Sequence, residues 1–109
     1  MVSFNNNHTF DYSYDGMYKT YEAVEESGLV HTGVGYNLGE ASAPKYLETP
    51  NGRVALISVS TSFNATMMAG EQTRRVKGRP GVNGMRLEKI LGVTNEDFEK
   101  IQNIAKLPL

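Results

Sequence analysis

Val2-Ser3-Phe4-Asn5-Asn6-Asn7-His8-Thr9-Phe10-Asp11 is a short apolar run followed at once by three carboxamides, an imidazole and, after Phe10, a carboxylate. Polar groups at the end of a strand cost free energy unless they are hydrogen-bonded, because they bury no apolar surface. Two readings fit the residue types. Asparagine tolerates the left-handed region and caps backbone groups through its side chain, which makes the run a turn. Carboxamide oxygen and neutral imidazole nitrogen also suit divalent metals, and an imidazole can hand a proton to a leaving group. Asp11, three residues after His8, is placed to hydrogen-bond one ring nitrogen and so fix the tautomer.

From Ser13 onward the pattern turns helical. Tyr14, Met17, Tyr18, Tyr21 and Val24 recur at three- and four-residue spacing and form one apolar stripe, which reads as core packing. Ser13 is placed to cap this helix, Asp15 to favour its positive end, and Gly28 to terminate it. Leu29-Val30-His31 then reads as a second strand. Strand, helix, strand is a βαβ unit, with a parallel pair and a right-handed crossover. Its functional edge is the carboxyl end of the strands, and both the Asn/His run and His31 are expected to open there. Gly33 and Gly35 suit tight turns; without a third glycine and a long helix behind them they make a poor phosphate loop.

Residues 37–43 read as one or two helical turns ended by Pro44. Two runs, residues 45–49 and 53–60, flank Pro50-Asn51-Gly52, and an Asn-Gly step between such runs predicts a hairpin. Val54-Ala55-Leu56-Ile57-Ser58-Val59 is apolar at alternating positions of both parities, so a central strand covered on both faces is expected. Beyond Phe63 periodicity is lost, and residues 64–84 read as a long basic loop. Five bases and no acid lie between Glu71 and Glu88. Arg74, Arg75, Lys77 and Arg79 are the candidate anion-binding residues, and the neighbouring glycines would let backbone N–H groups approach an anion. Thr94-Asn95-Glu96-Asp97 resembles a capping box with Asp in place of Glu, and a last helix is predicted over residues 95–106 with Phe98, Ile101, Ile104 and Ala105 on one face.

The chain has 109 residues, enough for one domain with a modest core. It contains no cysteine, which excludes disulfides and thiolate metal sites. Mean hydropathy is -0.40, and no run is long and apolar enough to span a membrane. The N-terminus lacks the basic-then-apolar pattern of a signal peptide. Net charge is -1, laid out unevenly: residues 1–71 carry eight acids and three bases, residues 72–109 four acids and eight bases. Such asymmetry suits a polyanion site or two complementary surfaces meeting in an oligomer.

With these pieces in order, NNNHTFDYSYDG, GLVHTGVGYNLGEASAP, NGRVALISVSTSF and AGEQTRRVKGRPGVN together resemble the middle of a bacterial capsule synthesis protein of the CapA, poly-gamma-glutamate synthesis type. The resemblance runs over residues 2–84 in the family's order. It implies a fold like that of the calcineurin-like metallophosphoesterases, so the expected architecture is α/β: a partial layered sheet with a βαβ unit, a β-hairpin and a C-terminal helix, all in one partial domain over residues 1–109. It further implies that Asn7 matches the metal-ligating Asn of a Gly-Asn-His motif. His8 matches the His that contacts the substrate oxyanion and acts as an acid, and Asp11 the family's acid after it. A divalent metal (manganese, zinc or iron) and a cell-envelope location are implied in the same way.

The departure from the family is large. Two-metal hydrolases need further carboxylates and histidines, supplied by the family before and after this region. With His8 and His31 as its two histidines, one copy of the chain cannot close such a shell. The expectation is therefore a partial CapA-like domain that binds metal weakly or not at all and is inactive alone. Its partner would be an anionic polymer or a phosphate-containing substrate, not nucleic acid. The alternative is a non-catalytic module that binds polyanions or associates with itself as a homo-oligomer.

Overall fold

The computed structural model describes residues 1–61 and 64–108; the boundary set after Phe63 lies outside the described residues. The α/β class holds, built among the described residues as three two-stranded sheets. β1 (Val2–Ser3) and β2 (His31–Thr32) pair in parallel, Val2 against His31 and Ser3 against Thr32, with α1 (Ser13–Glu26) as the crossover. This is the βαβ unit expected from the alternation of patterns. Gly28, at φ +73°, ends α1 with its N–H donated to the Glu25 carbonyl, as a C′ glycine should. Ser13 does not cap the helix: Tyr12 holds that position without a side-chain bond, and Ser13 is itself the first helical residue.

Gly33 then takes φ +100° and turns the chain out of the first sheet. β3 (Val34–Gly35) follows and pairs antiparallel with β6 (Gly81–Val82). α2 (Leu38–Ser42) is capped by the Asn37 side chain, which accepts from the Glu40 N–H, and stops before Pro44 as expected. β4 (Lys45–Thr49) and β5 (Gly52–Leu56) form the hairpin that Asn51-Gly52 predicted. α3 (Asn95–Ala105) is capped by Thr94, whose hydroxyl accepts from the Asp97 N–H.

Two further expectations fail here. Residues 54–59 are not a doubly covered central strand: β5 pairs with β4 alone, and Val54 and Ile57 are 49% and 58% exposed. Cross-strand register explains part of this. Tyr46, Glu48, Arg53 and Ala55 share one face, where Arg53 pairs with Glu48 and lies over the Tyr46 ring, so that face is polar. Leu47, Val54 and Leu56 share the other. Residues 64–84, read as a long basic loop, instead carry the core's return strand. After a 3₁₀ turn (Ala65–Met67), bridges Met68–Val82 and Gly70–Arg79 fold the segment back on itself.

The core is assembled where α1 meets these short strands. Phe4, Met17, Val34 and Val82 are buried together, with Phe10, Tyr14, Tyr18, Tyr21 and Met67 packed around them. The tyrosine stripe is therefore core, as its spacing implied. Tyr18 stacks on Tyr36 with ring centroids 5.7 Å apart, and Tyr21 meets Tyr36 at 5.1 Å.

Candidate active site

The Asn/His run leaves β1 at its carboxyl end and is held by its own polar groups. Asn6 is the turn former: its Oδ1 accepts the His8 N–H at 2.8 Å, and its N–H donates to the Thr9 hydroxyl at 3.1 Å. Successive bonds from Thr9 N–H to the Asn6 carbonyl, Asp11 N–H to the His8 carbonyl and Ser13 N–H to the Phe10 carbonyl wind the segment into α1. Both readings of the run thus apply, to different residues. Asn6 makes the turn, while Asn7 and His8 stay exposed.

His8 and Asp11 are brought together. Nδ1 of His8 lies 2.9 Å from Oδ2 of Asp11, and both side chains face solvent. A carboxylate only accepts, so Nδ1 carries the proton in this pair and Nε2 is left open. Asn7 is adjacent in the chain and exposed.

His31 does not share that edge. It pairs with Val2 at the opposite end of the parallel ladder, and its ring packs edge-on to Tyr21 at 5.0 Å and to Phe4 at 6.4 Å. Its Nε2 is bonded to the Glu25 carboxylate, a structural role for a buried imidazole. Beside it, burial, with Glu25, Glu40 and Tyr36 adding to the effect, pushes the Tyr21 phenol above its ordinary pKa, so the hydroxyl keeps its proton.

Asn5 and Asn83 carry a role that residue types alone did not single out. Asn5 Nδ2 donates to the Asn83 carbonyl at 2.8 Å, and Asn83 Nδ2 donates to the Ser58 carbonyl at 2.8 Å. The Asn83 N–H donates in turn to the Gly33 carbonyl. This lattice fastens the start of the Asn/His run to the segment after β6. Nothing in the adjoining residues marks either one: Asn5 follows Phe4 in the polar run, and Asn83 stands between Val82 and Gly84.

The basic residues lie elsewhere. Arg74, Arg75 and Lys77 are exposed, on a turn pinned by Thr73, whose hydroxyl accepts from the N–H groups of Arg75 and Val76. Among the described residues no carboxylate pairs with them. Arg79 differs, since its Nε donates to the Met68 carbonyl at 3.0 Å and so helps hold the β6 segment. The turn is anchored beside α2, through Leu38 N–H to the Gly70 carbonyl and the close approach of Gly78 to Asn37.

For a metal, the donors present do not make up a shell. Among the described residues no three of His, Cys, Asp and Glu converge, and Asn7 offers one neutral oxygen.

Fold and loop together define an α/β chain whose imidazole–carboxylate pair sits at the carboxyl edge of a parallel βαβ unit. The chain belongs to the family of the bacterial capsule synthesis protein PGA_cap, whose model matches residues 1–105. It is also similar to two uncharacterized proteins, y4sH and y4uA, of Sinorhizobium fredii (strain NBRC 101917 / NGR234), being 41% identical to each over 99 residues. Those matches cover 91% of this chain and 22% of each relative, so the chain spans about a fifth of the length of the curated relatives it matches.

Proposed function

We propose that this chain is a partial CapA-type domain serving poly-gamma-glutamate capsule synthesis, with a layered fold and chemistry related to the metal-dependent phosphoesterases. The observation that carries this is the His8–Asp11 pair, 2.9 Å apart and open to solvent at the end of β1. In this reading Asp11 accepts the Nδ1 proton and orients the ring, and Nε2 of His8 is the atom that meets a substrate oxyanion and transfers a proton. A divalent metal, where one is bound, would supply Lewis-acid polarisation of a phosphoryl or carbonyl oxygen. The donors in this chain fall short of such a site, so the reading includes inactivity of the chain by itself. Arg74, Arg75 and Lys77 would gather the anionic polymer.

The non-catalytic reading keeps the polymer and drops the chemistry. It is favoured by the separate anchoring of the basic turn beside α2. Both readings require the same binding, so the first experiment is titration of poly-gamma-glutamate followed by fluorescence anisotropy. Binding should weaken steeply as salt rises, since exposed charges are screened over about 8 Å at physiological ionic strength. Replacing Arg74, Arg75 and Lys77 together with Ser should weaken it roughly tenfold or more, from about 0.5–1 kcal/mol per exposed charge contact. Affinity unchanged in that variant would remove the basic turn from both readings.

A further inference from the structure

The surface of this chain is too large for its mass. A folded monomer of 12.0 kDa should expose about 6,000 Å², whereas the chain exposes 8449 Å². Its radius of gyration is 21.6 Å, against about 13 Å for a compact chain of this length. The excess is about 2,400 Å² per copy, so about 4,800 Å² for two, within the roughly 2,000–5,000 Å² in total that obligate pairs bury between them.

Two elements contribute apolar surface that fits in kind. α3 buries none of its residues, and Phe98, Ile101 and Ile104 on its apolar face are each more than half exposed. Its polar face is closed by Lys100, which pairs with Glu96 and Asp97. The hairpin offers the flat counterpart: Leu47, Val54 and Leu56 on one face, with no element among the described residues packed across them as a layer. A helix stripe on a sheet face is a standard way to bury both. The connection before α3, residues 85–94, can extend about 33 Å, which lets the helix leave its own copy.

We infer that two copies exchange α3 reciprocally, each helix covering the Leu47/Val54/Leu56 face of the other copy's hairpin in a two-fold dimer. Sedimentation velocity on the full chain across a micromolar concentration series tests this. The expected species is a dimer of about 24 kDa, twice the 12.0 kDa chain. Ile101→Asp and Val54→Asp each place a charge at an exposed position, so the far-ultraviolet spectrum should persist while dimerisation weakens at least tenfold. Mixing the two variants should restore a dimer, because one copy then keeps an intact helix and the other an intact hairpin. A monomer throughout the series would assign the surface to an intramolecular partner or to further polypeptide, and would overturn the exchange. So would a dimer indifferent to both substitutions, or failure of the mixed variants to pair.

Discussion

Gly33→Ala should lower the thermal midpoint by roughly 12 °C or more. The expected loss is about 3 kcal/mol or more, from backbone strain at positive φ together with overpacking, and about 4 °C or more follows per kcal/mol for a domain this small. Gly33 sits at φ +100°, and an added Cβ would stand 2.4 Å from the Cβ of Asn5 and 2.7 Å from that of Ser58. Neither neighbour can withdraw cheaply, because the Asn5 amide is tied to the Asn83 carbonyl and the Ser58 carbonyl accepts from Asn83. Gly28→Ala is the control. It also has positive φ, +73°, but nothing lies within 4 Å of its added Cβ, so it carries the strain without the clash. Its cost should be about 1 kcal/mol. Equal losses in the two variants, read by thermal and urea unfolding, would mean that the Asn5–Asn83 lattice does not hold the turn rigid.

Met17→Ala should cost about 2–5 kcal/mol, the range for deleting a large buried side chain and leaving part of its cavity. Met17 is 1% exposed and is the residue through which α1 reaches the Phe4, Val34 and Val82 cluster. With so few fully buried apolar side chains, the core has little else with which to fill the space. Val76→Ala, on the exposed turn, should fall within about 0.5 kcal/mol of the parent. Urea midpoints of the two variants give the comparison, and a small loss for Met17→Ala would contradict the placement of the core under α1.

The parts of the fold that local rules govern were legible in the sequence. The stripe from Tyr14 to Val24 gave α1 because three- and four-residue spacing can serve only a helical face. Asn51-Gly52 gave the hairpin, and Thr94 with Asp97 gave the start of α3, since turns and caps depend on a few adjacent residues. The failures were non-local. Alternation in residues 54–59 shows that the strand is apolar, not what covers it, and among the described residues no layer does. Val82, fully buried, was hidden in a stretch of glycines, prolines and bases because a two-residue strand has no periodicity to read. His31 was assigned to the wrong end of the ladder because strand order does not reveal register. Of the site, the spacing of His8 and Asp11 foretold their bond, while the Asn5–Asn83 lattice spans 78 positions and left no local trace.

The account rests on Asp11 setting the tautomer of His8 so that Nε2 is the working nitrogen. Imidazole nitrogen-15 spectra of the chain at mildly alkaline pH measure this directly, with His8→Asn assigning the signals. The expected result is an Nδ1-protonated His8 that reverts toward the Nε2-protonated form in Asp11→Ala. An Nε2-protonated His8 in the parent chain, or a tautomer indifferent to Asp11→Ala, would contradict it.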